Sequence, residues 1–96
     1  MKDSRIVYIS GSITNNPNYK EDFEKAEKNL LKDYDSVINP TKLPVFHDKT
    51  WESYMKTTLA ELLECDAIFM VKGWQESRGA VIEYNLASEL GLALLC

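Results

Sequence analysis

Ala67-Ile-Phe-Met-Val71 is an unbroken apolar run between Asp66 and Lys72. A strand with one wet face alternates apolar and polar residues. A continuous run reads instead as a strand covered on both faces, the usual condition in a parallel sheet. Working outward, the segment before it carries Trp51, Met55, Leu59, Leu62 and Leu63 at helical spacing behind Thr50, a capping residue. The segment after it opens with a loop, Gly73-Trp-Gln-Glu-Ser-Arg-Gly79. It continues as a helix from about Arg78 to Leu90, which Gly91 stops, and ends in a strand from Leu92 to Leu95.

The first half repeats the alternation. Arg5-Ile-Val-Tyr-Ile9 reads as a first strand and ends at the polar turn Ser10-Gly-Ser-Ile-Thr14. Asn16-Pro17 opens a helix in which Tyr19, Phe23, Ala26, Leu30 and Leu31 recur at helical spacing, to end near Asp33. Ser36-Val-Ile38 is a second short strand closed by Asn39-Pro40. Thr41 to about Thr50 is a long loop of the kind that often serves as a lid. The order β-α-β-α-β-α-β predicts one α/β domain over residues 1–96. It would be a flavodoxin-like or Rossmann-like three-layer sandwich, about four parallel strands with helices on both faces. In such sheets ligands sit beyond the carboxyl ends of the strands, near the topological switch point. The loops expected at that edge run from Ser10 to Asn16, from Asn39 to Thr50 and from Lys72 to Gly79.

Composition agrees with one ordinary globular domain. The 96 residues are 45% hydrophobic and 27% charged. A chain of this size buries roughly 65% of its unfolded surface, enough for a core without staples. Eleven basic against 15 acidic residues give a net charge of -4. With no basic cluster to offset it, that charge argues against nucleic acid or an anionic membrane as partner. The apolar stretch from Ile6 to Ile9 is far too short for a signal peptide, and no run is long enough to span a membrane. Cys65 and Cys96 lack metal-ligand spacing and read as reduced thiols of a cytoplasmic protein. No metal and no cofactor are expected.

Glu83 is the most informative residue. On a wheel of about 100° per residue, Leu90, Glu83, Ala87, Ala80, Gly91 and Tyr84 fall on one side with Gly79, flanked by Ile82 and Leu86. Glu83 therefore lies in the middle of an apolar face, among glycine and alanine. A carboxylate facing the interior must be paired, hydrogen-bonded or functional, and its small neighbours leave room for a ligand. The alternative is a helix rotated so that Glu83 lies at a solvated margin. The turn Ser10–Thr14 offers backbone N–H groups to a phosphate or sugar oxygen, or is an ordinary polar connection; it has no G-x-G-x-x-G and no P-loop lysine. Ser77 reads as the N-cap of the third helix, a place that also suits an anion. Arg78 beside it reads as a phosphate ligand or a solvated surface residue. Tyr8 lies on the face of the first strand opposite Ile9. Trp51, Trp74, Phe46 and His47 lie in or beside the long loops, where they either stack on a planar base or pack. Asp66 reads as the residue that opens the third strand, at its amino end and away from the site.

Together these stretches resemble the nucleoside 2-deoxyribosyltransferase-like superfamily, which includes nucleotide N-hydrolases acting on 5′-monophosphates, and within it a small branch common in phages and prophages. The resemblance covers nearly the whole chain. It is carried by Tyr8-Ile-Ser-Gly-Ser-Ile13, Asn39-Pro40, Trp51-Glu-Ser-Tyr-Met55, Leu62-Leu-Glu-Cys-Asp-Ala67 and, most specifically, Gly73-Trp-Gln-Glu-Ser-Arg-Gly-Ala-Val-Ile-Glu83. It implies cleavage of the N-glycosidic bond between a base and a (deoxy)ribose, with Glu83 attacking the anomeric carbon and water or a second base resolving the glycosyl-enzyme. It implies that Tyr8 positions Glu83. Ser77 and Gly79 would contact the 5′ end of the sugar or its phosphate, and Gly11, Ser12 and Ile13 would form the turn that binds substrate.

Three departures stand out. The family commonly has an aspartate on the second helix, eight residues before Asp66, where this chain has Thr58. Threonine is no general acid near neutral pH, yet departure of a neutral base calls for a proton. Thr14 stands where the nucleotide hydrolases carry arginine, which speaks against a 5′-phosphate. The sequence ends at Cys96, before the family's fifth strand.

The leading expectation is therefore a nucleoside deoxyribosyltransferase or a nucleoside or nucleotide hydrolase. The alternative is a nucleotide-binding module without turnover, and a flavodoxin-like electron carrier ranks third. A homodimer or larger homo-oligomer is expected, because a four-stranded sheet should leave apolar helix surface uncovered around Trp51, Met55 and Leu59.

Overall fold

The computed structural model describes residues 2–13, 16–43 and 50–95. The elements are β1 (Asp3–Ser10), α1 (Tyr19–Leu30), β2 (Tyr34–Ile38), α2 (Trp51–Leu62), β3 (Ala67–Met70), α3 (Arg78–Glu89) and β4 (Ala93–Leu95). Short 3-10 turns occupy Pro40–Lys42 and Trp74–Glu76. The four strands form one parallel sheet in the order β2-β1-β3-β4. This is the flavodoxin-like α/β sandwich that the alternation predicts.

The order explains where the helices lie. From β1 the chain steps to one side to reach β2, then crosses back over β1 to β3 and on to β4. Parallel crossovers keep one hand, so reversing the direction of travel moves the crossover helix to the other face. Accordingly α1 covers one face with Val7, Ile9, Phe23 and Ala67 in its core, while α2 and α3 cover the other over Tyr8, Leu62, Ile68 and Ala87. Complete burial of a side chain such as Phe23 or Leu62 is worth about 1.5–3 kcal/mol. The reversal makes β1 and β3 neighbours, with Tyr8 opposite Ile68 and Ser10 opposite Met70. Their carboxyl ends flank the switch point.

Local chemistry sets the helix ends. Thr50 and Ser77 cap α2 and α3, their hydroxyls accepting from the Ser53 N–H at 3.1 Å and the Ala80 N–H at 3.2 Å. Gly91, at a φ of 77°, closes α3 in a Schellman turn: its N–H bonds Ser88 O, and the Leu92 N–H bonds Ala87 O. Helix α1 begins at Tyr19 rather than at Asn16-Pro17. The Asn16 side chain accepts from the Asn18 N–H at 3.0 Å and donates to Asp22 at 3.0 Å, so the polypeptide turns around Pro17 before the helix starts. The helix also stops at Leu30, short of Asp33, and β2 starts at Tyr34, two residues before Ser36.

Two carboxylates fasten corners of the fold. Asp66 accepts from the Ile6 N–H through Oδ2 at 2.9 Å and donates its own N–H to Ile6 O at 2.8 Å, which fastens the amino edge of the sheet. Glu27 on α1 accepts from Asn39 at 3.1 Å and from Lys42 at 2.8 Å, which ties the turn after β2 to that helix. The Cys65 thiol at the end of α2 is buried, donates to Glu61 O at 3.3 Å, and is pushed up to about 12, chiefly by burial.

Two sequence expectations need correction. Met55 is buried, and Trp51 and Leu59 are half-buried, because α3 and the sheet cover the face of α2 that was expected to be bare. Leu90 is 52% exposed; it is the residue past the last full turn of α3, where the wheel no longer holds. Among the described residues the large apolar side chains left in water are Leu63, Leu90 and Leu94. No helix among the described residues is long and apolar enough to cross a membrane.

Candidate active site at the carboxyl edge of the sheet

A strand alternates its side chains, so Tyr8 and Ser10 point to the same face of β1, two residues apart at its carboxyl end. Helix α3 crosses above them. Its interior face is Ala80, Glu83 and Ala87, and the two alanines let the helix lie close to the sheet. Glu83 is thereby held 5% exposed over the end of the central strand. Its Oε1 accepts from the Ser10 hydroxyl at 2.6 Å and its Oε2 from the Tyr8 hydroxyl at 2.8 Å. Both distances suit hydroxyls bonded to a carboxylate.

These donors set the electrostatics. Burial raises the Glu83 carboxyl above its ordinary value, and the hydroxyls of Ser10, Tyr8 and Thr58 pull part of the way back. Tyr8 is driven well above the usual phenol range by burial and by the Glu83 charge. It therefore keeps its proton and donates it to Glu83. The result is a desolvated carboxylate, fixed through both oxygens and without a cation partner among the described residues.

Glu83 faces a cavity of about 350 Å³. Tyr8, Ser10 and Gly11 form its floor, and α2 supplies Trp51, Tyr54 and Met55 as a wall. Ile13 and Phe23 close the α1 side, and Ser77 and Gly79 lie at the start of α3. Small-molecule sites of this kind are mostly apolar with a few convergent polar groups. No lysine, arginine or histidine among the described residues lines the cavity. Nor do the described residues hold a group of three histidine, cysteine, aspartate or glutamate side chains fit for a metal ion.

Of the residues singled out from sequence, Glu83, Tyr8, Gly11, Ile13, Ser77 and Gly79 meet at this cavity. Ser12 does not line it; β1 ends at Ser10, so the alternation that aims Tyr8 and Ser10 inward does not extend to Ser12. The glycines have packing roles as well. A Cβ on Gly11 would come within 2.8 Å of the Val71 Cβ, and one on Gly79 within 3.0 Å of the Met55 sulfur. Gly11 lets the end of β1 approach the end of β3, and Gly79 lets α2 approach α3. Trp74 is away from the cavity, stacked on Tyr84 with centroids 4.6 Å apart. Arg78 lies over the Trp51 ring at 4.1 Å, a cation–π contact that pins the starts of α2 and α3 together. Phe46, His47, Thr14 and Cys96 lie outside the described residues.

Sequence reasoning missed two groups. Ser10 looks like no more than the first residue of a turn, although its spacing of two from Tyr8 already puts both on one face. Tyr54 carries no motif of its own, although it stands three residues after Trp51 and four before Thr58, hence on their side of α2. Its hydroxyl is raised to about 12, by burial first and then by the Glu83 charge. Thr58 is 1% exposed, donates to Met55 O at 3.2 Å and does not line the cavity.

Comparison with known proteins places the chain without assigning it an activity. Neither a curated protein nor a solved structure matches it. Residues 5–96 match the model of the family described as Domain of unknown function (DUF4406). With all but its first four residues inside that match, the chain belongs to the DUF4406 family.

Proposed function

We propose that this chain cleaves or transfers at the N-glycosidic bond of a (deoxy)nucleoside or nucleotide, with Glu83 as nucleophile. The observation that carries the reading is the Glu83 carboxylate itself. It is buried at the switch point, held by one hydroxyl on each oxygen, and open to a cavity with aromatic walls. A structural carboxylate in that position would be expected to have a cation or to be replaced by an apolar residue. A desolvated, oriented carboxylate can attack an anomeric carbon and stabilise the positive charge that develops there.

In this reading an Oε of Glu83 bonds to the anomeric carbon as the bond to the base nitrogen breaks and its electron pair leaves with the base. Water or a second base then displaces Glu83. Tyr8 and Ser10 keep the carboxylate aimed. The base lies against Trp51, Tyr54 and Phe23, whose rings suit a planar heterocycle. Ser77 accepts from the Ala80 N–H and so retains its own proton for the 5′ end of the sugar, at the positive end of a 12-residue helix. The resemblance to the nucleoside 2-deoxyribosyltransferase-like superfamily assigns Glu83 and Tyr8 the same roles.

The test is a mass-spectrometric turnover assay on (deoxy)nucleosides and their 5′-monophosphates, with and without a second free base. Base released or exchanged by the wild type and not by Glu83→Gln supports the reading. A folded wild type that turns over none of them refutes it and favours the second reading, a nucleotide-binding module without turnover. That alternative draws on Thr58, which occupies the family's acid position but makes no contact with the cavity. Self-association belongs with the same proposal, through the exposed Leu63, Leu90 and Leu94. A monomer by light scattering at micromolar concentration would refute that part.

A further inference from the structure

Helix α2 turns one face to the site, and the residues on it are not equivalent. Thr58 is 1% exposed and lies outside the cavity; its hydroxyl donates to Met55 O at 3.2 Å and helps to lower the Glu83 carboxyl from behind. Tyr54, one turn earlier, lines the cavity directly. Among the described residues its hydroxyl has no hydrogen-bond partner, whereas the Tyr8 and Ser10 hydroxyls are both committed to Glu83. Of the two phenols lining the cavity, one is therefore engaged and the other, among the described residues, is free.

Resting on the N-glycosidic reading above, we infer that the Tyr54 hydroxyl is the group that meets the departing base, donating a hydrogen bond to the nitrogen on which charge develops as the bond breaks. The position is suited to this. Glu83 must approach the anomeric carbon from one side of the sugar while the base departs on the other, so the two groups belong on different walls of one cavity. They come from α3 and α2 respectively. A phenol held near 12 keeps its proton throughout the neutral range and is always ready to donate. It stabilises the departing charge by hydrogen bonding and need not surrender the proton. The balance closes with water alone. The base leaves as its anion and takes a proton from water, and the hydroxide so formed displaces Glu83 from the sugar, giving free sugar, neutral base and the original carboxylate.

The leaving group provides a test that a merely structural role would not satisfy. A 7-methylguanine base is already cationic in its nucleoside and leaves neutral, so it needs no donor; guanine does need one. The wild type, Tyr54→Phe and Glu83→Gln are compared on guanosine and 7-methylguanosine, each as ribo- and deoxyribonucleoside and as 5′-monophosphate. Tyr54→Phe is expected to lose about 10²-fold in kcat on the unmethylated substrate. On the methylated one it should stay within about threefold of the wild type, because no developing charge is left for the phenol to meet. Glu83→Gln should lose both. Equal losses on both substrates, or no loss on either, would overturn the Tyr54 assignment and leave the N-glycosidic reading standing. So would a wild type that cleaves only the methylated substrate, since that site would have no working donor. A folded wild type that cleaves neither would overturn the reading itself, and the Tyr54 role with it.

Discussion

Glu27 and Glu83 are both carboxylates with two hydrogen-bond donors, at two corners of one small sheet. At the first corner the donors are an amide, from Asn39, and an ammonium, from Lys42. Burial pushes the Glu27 carboxyl up, the two donors outweigh it, and the group ends below its ordinary value. At the second corner the donors are two hydroxyls under deeper burial, and the group ends above its ordinary value. The number of hydrogen bonds is the same; the charge of the partners and the access of water differ. A carboxylate beside a cation is a clamp. One beside neutral hydroxyls keeps its charge unspent, at a cost in folding stability, and is available to a ligand.

Turnover should separate the corners most sharply. Glu83→Gln is expected to lose at least about 10³-fold in kcat with substrate binding retained, the scale of removing a nucleophile. Glu27→Gln should stay near the wild-type rate in the same assay, and a comparable loss there would erase the distinction. Tyr8→Phe comes next, with a fall of up to about 10²-fold as the carboxylate loses one of its two anchors. That variant also removes a donor that lowers the Glu83 carboxyl, so the acid limb of the pH–rate profile should move to higher pH. A limb that stays in place would mean that Tyr8 does not tune Glu83.

Stability gives a smaller contrast of opposite sign. A carboxyl raised in the folded state stabilises that state below its unfolded value, near 4.5, and the contribution is lost as pH rises through the folded value. Glu83→Gln should therefore melt higher than the wild type at pH 7, with the gap closing towards pH 4.5. Glu27 is lowered, so its contribution is present above the unfolded value and lost as pH falls through the folded one. Glu27→Gln should melt slightly lower at pH 7 and match the wild type in acid. Thermal melts at the two pH values measure both. The smallest effect is that of Lys42→Met, because Lys42 is exposed and solvent screens the pair. Its melting temperature should barely change, while a carboxyl titration by NMR should show Glu27 shifted upward.

The sheet and the Glu83 corner were legible in the sequence, the Glu27 corner was not, and the limits have physical causes. The apolar run at Ala67, the caps at Thr50 and Ser77 and the stop at Gly91 depend on neighbouring residues only, so they fix the order of elements and hence the sheet. Glu83 was legible because a charge on the face between Ala80 and Ala87 breaks a pattern. Tyr54 was not, since an aromatic residue on a helix face looks the same whether it fills a core or lines a cavity. The start of α1 departs from the Asn16-Pro17 signal because the Asn16 side chain bonds the Asn18 N–H and Asp22, and those contacts compete with the helix preference of Pro17. Leu90, and the covering of Trp51, Met55 and Leu59, depend on which element passes overhead, which no local pattern encodes.

The buried Cys65 thiol turns the joint between α2 and β3 into a clock. With its ionisation near 12, only roughly one thiol in 10⁴ is a thiolate at pH 8 while the protein is folded. Alkylation must then wait for the end of α2 to detach from the sheet. In a Cys96→Ser background, the rate at which iodoacetamide labels the chain, divided by the rate for an unfolded peptide, reads the fraction of time that this joint stands open. Ligand-induced closure of the distant cavity would register there as slower labelling only if the two edges of the sheet open together.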